Sequence, residues 1–189
     1  MSNYGALSEA DISVLEAALE AAALLGRIRF LEIGVHTGQT ARGIREWCMS
    51  KNVALEYWGL DSGVQNDGEP PFEGATMVRG DSAESFHLVP DVFDIVLLDG
   101  CHCLNHVILD TYHYSPKVRP GGFLLFHDTS PEIQQTMHDP HGPDIPEFRN
   151  SVNAALEMIR WPWRGWALWR SEYQKGLSFG GTRAYRRTE

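Results

Sequence analysis

Two apolar runs that stop at acids constrain this chain more than any other feature. Phe93-Asp94-Ile95-Val96-Leu97-Leu98 runs into Asp99-Gly100, and Phe123-Leu124-Leu125-Phe126 runs into His127-Asp128. Nearly continuous apolar runs of this length read as strands covered on both faces, which is how the strands of a parallel sheet look. Between them, Leu104 to Tyr114 has helical spacing and leads through Arg119-Pro120-Gly121-Gly122 into the second run. Strands alternating with helices require a parallel sheet with right-handed crossovers.

The alternation extends towards the start. Ser8 to Leu25 places Ile12, Leu15, Leu19 and Ala22 with Ala23 at helical spacing, between a Ser8 cap and Gly26. Arg27 to Ile33 reads as a buried strand ending at Gly34, Gln39 to Met49 as a helix and Leu55 to Leu60 as a strand closed by Asp61. Ala75 to Arg79 is a third short strand and Ala83 to His87 a brief helix. Thr129 to Asn150 is polar and broken by prolines, a length that inside a domain is usually functional or disordered. Ser151 to Arg160 resumes as a helix, and Gly165 to Trp169 and Leu177 to Tyr185 are close enough to pair antiparallel. The expected fold class is α/β, a doubly wound, Rossmann-like sheet of about seven strands, mostly parallel. No repeat or linker divides the chain, and 189 residues suit one domain, 1–189.

A net charge of -9 argues against a nucleic-acid binder, whose affinity comes from clustered Lys and Arg. Arg183-Ala184-Tyr185-Arg186-Arg187 is locally basic and reads as a solvated terminal strand. No apolar run approaches the roughly 18 to 20 residues of a membrane helix. Met1-Ser2-Asn3-Tyr4-Gly5 lacks the features of a signal peptide, so a cytoplasmic location is expected. Three cysteines suit free thiols in a reducing compartment.

Ligands of open α/β sheets bind beyond the carboxyl ends of the strands. Acids dominate that edge here. Gly34-Val35-His36-Thr37-Gly38 allows close backbone approach and opens a helix, although alone it serves equally well as a plain strand-to-helix turn. Asp61, at the end of the next strand, is placed to accept the hydroxyls of a ribose. A nicotinamide cofactor would need a G-x-G-x-x-G turn, which is absent, and Glu32 suits a cationic group better than a pyrophosphate.

Asp99 and Asp128 end successive strands, and neighbouring strands lie about 4.8 Å apart, so both carboxylates can reach one ion. Oxygen ligands with room for water suit a hard cation such as magnesium. His102, about one helical turn past Asp99, is a candidate general base with an ordinary pKa of about 6.5. The same acids also fit a turn at Asp99-Gly100 and a helix cap at Asp128-Thr129. Cys101-His102-Cys103 followed by His106 invites a zinc reading, but lacks a second ligand pair, so Cys101 and Cys103 are read as small buried thiols. His138, Asp139 and His141 are read as loop polarity rather than a lid. Trp161, Trp163, Trp166 and Trp169 are read as core or a subunit contact rather than an acceptor-stacking surface.

From Arg27 onwards the chain resembles the class I S-adenosylmethionine-dependent methyltransferases, and within them the small metal-dependent O-methyltransferases. The resemblance rests on Leu31-Glu32-Ile33-Gly34-Val35-His36-Thr37-Gly38-Gln39-Thr40, on Tyr57-Trp58-Gly59-Leu60-Asp61, and on Gly80-Asp81-Ser82-Ala83-Glu84. It implies that Gly34, His36 and Thr40, with Glu32 and Gly38 beside them, line the methionine part of the donor. Asp61 and Ser62 would meet the ribose, Asp81 and Ser82 the adenine end, and Asp99 the edge of the same site. It further implies a seven-stranded sheet whose last strand is inserted antiparallel.

The strand ends at Asp99 and Asp128 are similar to those of O-methyltransferases of macrolide sugars and of the cephalosporin hydroxylase group. That similarity makes Asp99 and Asp128 metal ligands and His102 the base, with His127 either a further ligand or a packing residue. The function it implies is divalent-metal-assisted O-methylation of a small hydroxylated acceptor, a sugar, polyketide or catechol-like natural product, with S-adenosylmethionine and Mg2+ or another divalent cation as cofactors. No nucleic acid or membrane partner is expected, and self-association into a homo-oligomer stays open. The alternatives are a non-catalytic S-adenosylmethionine-binding accessory module, or a hydroxylase-named relative with the same fold and metal site.

Overall fold

Local capping and buried polar contacts define the first element. In the computed structural model, which describes residues 4–63, 69–133, 151–177 and 180–189, helix α1 spans Glu9–Ala22. Ser8 caps it, its side chain accepting from the Asp11 N–H while the Asp11 carboxylate accepts from the Ser8 N–H. Asp11 is fully buried and also accepts from the Thr182 hydroxyl at 2.8 Å, which ties α1 to the far end of the chain.

The remaining elements follow the anticipated alternation: β1 Arg27–Ile33, α2 Gln39–Ser50, β2 Ala54–Asp61, β3 Thr76–Arg79, α3 Ser82–Ser85, β4 Phe93–Leu98, α4 Leu104–Tyr114, β5 Val118–Phe126, α5 Ser151–Met158, β6 Trp166–Glu172 and β7 Thr182–Arg187. A seven-stranded sheet has the order β3-β2-β1-β4-β5-β7-β6. The first five strands pair in parallel, and β7 runs antiparallel to both β5 and β6. The α/β, doubly wound, Rossmann-like expectation is met, with the last strand inserted.

Every residue of β4 is buried, because helices cover both faces of the sheet. Ile95 and Leu97 pack with Leu15, Leu19, Phe30 and Ile44 on one side. Val96 and Leu98 pack with Leu31, Leu124, Tyr114 and Trp161 on the other. Asp94, the one acid in the run, lies beneath the Arg119 guanidinium and accepts from the Arg29 N–H.

Four details differ from the sequence reading. β5 begins at Val118, not Phe123: Phe93 pairs with Val118 and Ile95 with Phe123, so the Arg119–Gly122 segment bulges out of register. The brief helix after β3 splits into α3 and a 3-10 turn at Phe86–Leu88. The basic C-terminal segment is not a solvated strand, since β7 lies between two others with Ala184 and Tyr185 buried. Its Arg186 guanidinium lies over the Phe123 ring and Arg187 donates to the Val118 carbonyl, so those charges stay at the sheet's rim. β6 and β7 are also shifted relative to the two apolar stretches, to Trp166–Glu172 and Thr182–Arg187.

Trp161 packs against Phe126, Trp163, Trp166 and Tyr185, and Trp169 against Phe123, so most of the tryptophan cluster is core. Among the described residues no helix is long and apolar enough to cross a membrane. Strand order reverses between β1 and β4, which opens a crevice at their carboxyl ends.

Ile95 is wholly buried at the centre of the sheet. Ile95→Ala should lower the unfolding free energy by about 2–5 kcal/mol without changing the dependence on denaturant, measured by urea titration followed by circular dichroism.

Candidate active site

The turn after β1 is shaped by what it lacks. Gly34 has φ +88°, and a Cβ there would lie 2.2 Å from the Asp99 carbonyl oxygen. β1 and β4 therefore converge where the sheet opens. Gly38, left-handed as the N-cap of α2, faces Pro71 so closely that a Cβ would come within 2.5 Å. Between them His36 takes a positive φ, and its N–H donates to Asp61 Oδ2 at 2.8 Å. Asp61 Oδ1 accepts from the Gly63 N–H at 2.7 Å. The carboxylate thus fastens the β1–α2 turn to the loop after β2, and each oxygen retains lone-pair capacity for a further donor.

Among the described residues two cavities meet along Gly34, His36, Asp99 and Gly100. One, about 370 Å³, is lined by Asp61, Ser62, Asp81, Ser82, Cys101 and His106 besides the shared residues. The other, about 480 Å³, is lined by Glu32, Thr40, His102, His127 and Asp128 among others. Every residue expected at the donor or metal site lines one of the two except Gly38, which acts through the backbone turn. His138, Asp139 and His141 lie outside the described residues.

Beneath the turn, Glu32 is buried and accepts a short hydrogen bond from the Tyr57 hydroxyl. Burial pushes the Glu32 carboxyl up to about 8, against the pull of that bond, and the charges of Asp99 and Asp61 add to the rise. Burial and the Glu32 charge raise the Tyr57 hydroxyl in turn.

At the ends of β4 and β5 four side chains interlock. His127 Nδ1 lies 2.9 Å from Asp99 Oδ1, and its Nε2 faces Asp11 Oδ2 at 3.5 Å, an ion-pair distance rather than a formed hydrogen bond. His102 stands between the two acids, Nε2 3.4 Å from Asp99 Oδ1 and Nδ1 3.3 Å from Asp128 Oδ2. His102 Nε2 is buried without a hydrogen-bond partner. Burial alone would push the Asp99 carboxyl up, but the His127 charge, the His102 imidazole beside it and the hydrogen bond with His127 hold it well below the usual carboxylate range. Burial disfavours charge on His127, yet Asp99 beside it and the carboxylates of Asp11 and Asp128 raise it well above an ordinary histidine. His102 is raised by Asp99 and Asp128 against its own burial.

Oxygen donors from Asp99 and Asp128 and a nitrogen donor from His102 all lie within 4.8 Å of one another, a donor set that fits a divalent cation. The helical placement of His102 is corrected: residues 101–103 precede α4, which begins at Leu104. Asp128 does not cap a helix either. It has φ +54°, and its Oδ1 accepts from the Gly180 N–H at 2.7 Å.

Two participants escaped the sequence reading. Asp11 carries no strand-end signal, since it arrives from α1, and only its capping-box position marks it. Tyr57 opens the Tyr57-Trp58-Gly59-Leu60-Asp61 stretch, but its role depends on facing Glu32 across β1 and β2.

The profile of a family described as a methyltransferase domain matches residues 31–129. The uncharacterized protein y4gI of Sinorhizobium fredii (strain NBRC 101917 / NGR234) is 23% identical over 171 residues, covering 79% of this chain and 18% of its own. The MycE methyltransferase of the mycinamycin biosynthetic pathway, solved with Mg and SAH, aligns over 93% of this chain and 49% of its own, with a TM-score of 0.59 and 17% identity. The O-methyltransferase from Bacillus cereus, solved with SAH, aligns over 97% and 84%, with a TM-score of 0.59 and 12% identity. The chain spans about half the length of MycE and under a fifth of y4gI. At these identities the structural likeness is one of fold, the Rossmann-like methyltransferase sheet.

The raised Glu32 carboxyl has a consequence for stability. From its ordinary value of 4.5 up to about 8, the folded chain holds a proton that the unfolded chain has released, so unfolding free energy should fall as pH rises through that window and level off above it. Glu32→Gln should remove this component. Urea midpoints measured across the window should decline more steeply for the parent chain than for the variant, and parallel curves would contradict the assignment.

Proposed function

The chain belongs to the methyltransferase-domain family, and from that premise we propose that it is an S-adenosylmethionine-dependent O-methyltransferase acting, with a divalent cation such as magnesium, on a hydroxyl of a small sugar, polyketide or catechol-like molecule. The observation that carries this reading is the meeting of two cavities at Gly34, Asp99 and Gly100, one beside Asp61 and Asp81, the other beside Asp99, His102 and Asp128. MycE, solved with Mg and SAH, and the Bacillus cereus O-methyltransferase, solved with SAH, support it.

When bound, S-adenosylmethionine supplies a methyl group on a positively charged sulfur, and a divalent cation lowers the pKa of a coordinated hydroxyl. The chain's own residues do the rest. Asp61 receives the ribose hydroxyls on the lone pairs that His36 and Gly63 leave available. Glu32, neutral when nothing is bound, becomes favoured as the carboxylate beside the donor's cationic end. Gly34, having no side chain, keeps the seam between the two cavities open, and would let a donor held there reach both. Asp99 and Asp128 would hold the cation. With those carboxylates engaged, the His102 imidazole loses the attraction that keeps its proton and can accept one at Nε2 from the acceptor hydroxyl. Alignment of that oxygen with the methyl group supplies much of the rate.

Methyl-labelled donor, incubated with hydroxylated acceptors and magnesium, should yield labelled ether, and chelation of the cation should abolish it. His102→Gln should lower kcat by about 10²–10⁴-fold while leaving donor affinity measured by calorimetry within a few-fold. Asp99→Ala should abolish transfer in a chain whose circular dichroism is unchanged. Full activity of Asp99→Ala would rule out the cation-assisted mechanism.

A further inference from the structure

A second set of metal-binding side chains lies on the other side of the loop that carries His102. Cys101 Sγ is 2.8 Å from Cys103 Sγ, and Cys103 Sγ is 2.9 Å from His106 Nδ1. One donor atom from each of the three residues lies within 4.8 Å of the others. Cys103 and His106 are buried, while Cys101 and His106 line the 370 Å³ cavity. We propose that Cys101, Cys103 and His106 form a site for a thiophilic divalent cation, zinc above all, with Asp81 holding the histidine in its ligating form.

The argument rests on donor chemistry and on the orientation of His106. Two sulfurs and an imidazole nitrogen select zinc over the hard cations that suit Asp99 and Asp128. Tetrahedral zinc has Zn–S near 2.3 Å and Zn–N near 2.0–2.1 Å, so its donors stand roughly 3.4–3.8 Å apart. The thiols must therefore open by about 1 Å, which the loop position and partial exposure of Cys101 allow. His106 Nε2 lies 3.0 Å from Asp81 Oδ2. A carboxylate oxygen only accepts, so Nε2 carries the hydrogen and Nδ1, facing Cys103, presents its lone pair in the neutral ring. Asp81 is itself fixed, because its Oδ1 accepts from the Ala83 N–H at 2.8 Å as the cap of α3. A carboxylate fixing the far nitrogen of a metal-bound imidazole is the usual support of a zinc ligand. The fourth position faces the cavity, where water completes it, and each ligating thiol gives up its proton on binding. The site does not depend on methyl transfer.

Cobalt(II) added alone to the reduced 189-residue chain tests it. One equivalent should produce thiolate-to-cobalt charge-transfer absorption in the near ultraviolet, and one equivalent of zinc should bleach it. Cys101→Ser should weaken the band, Cys103→Ser combined with His106→Ala should remove it, and Asp99→Ala should leave it unchanged. Asp81→Asn should keep the band but lower cobalt affinity about 10- to 100-fold. No band from a chain shown by circular dichroism to be folded would overturn the proposal. So would a band that survives loss of Cys101, Cys103 and His106.

Discussion

The missing side chain of Gly34 governs the carboxyl edge of this sheet. With the Asp99 carbonyl oxygen 2.2 Å from where a Cβ would stand, no other residue lets the ends of β1 and β4 approach as they do. These strands flank the reversal of strand order, so the approach occurs where an open α/β sheet has its crevice. It puts Asp99 on the seam between two cavities and hands its carboxylate to His127. From His127 the contacts continue to Asp11 on α1, and from Asp11 to Thr182 at the start of β7.

That chain of contacts is electrostatic, and its logic is compensation. Asp11 is buried and Asp99 and Asp128 are largely so, and unpaired carboxylates in such places would be strongly destabilising. Two imidazoles stand among three acids, and backbone or hydroxyl donors take up the remaining oxygens: the Gly180 N–H on Asp128 and the Thr182 hydroxyl on Asp11. The segment entering β7 is therefore part of the site as much as of the sheet. The Thr129 and Ser130 N–H groups donate to the Gly181 and Gly180 carbonyls, so insertion of β7 also positions the chain just beyond Asp128.

What was legible in the sequence follows from which forces act locally. β4 and the second half of β5 announce themselves because strands buried on both faces are nearly continuous apolar runs, and Asp99 and Asp128 just beyond them mark the edge where ligands bind. The early start of β5 was hidden because Arg119-Pro120-Gly121-Gly122 has the composition of a turn. Only the pairing of Val118 with Phe93 on its neighbour draws it into the sheet as a bulge. The place of β7 followed from resemblance alone, since no local pattern says which neighbours a strand takes. Asp11 and Tyr57 stayed invisible because each acquires its role from a partner brought close by folding, His127 in one case and Glu32 in the other. The zinc reading was discounted for want of a second ligand pair nearby, and the support that strengthens it, Asp81, comes from the end of another strand.

The helix Leu104–Tyr114 begins where its spacing says, so His102 lies ahead of it rather than one turn inside a helix, and this has a structural consequence. A helix starting at Asp99 would turn residues three and four apart onto one face, so that His102 and Cys103 would both stand over Asp99. Instead the chain stays out of the helix until Leu104, with Cys103 extended at φ -69° and ψ 146°. Cys101 lines the cavity beside Asp81 and His102 the cavity beside Asp128. Hard oxygen donors and soft sulfur donors are thereby kept apart within a few residues of chain, so a cation suited to one group has no shared ligand with which to displace a cation suited to the other. A helix starting one turn earlier would have merged the two sets into a single mixed site.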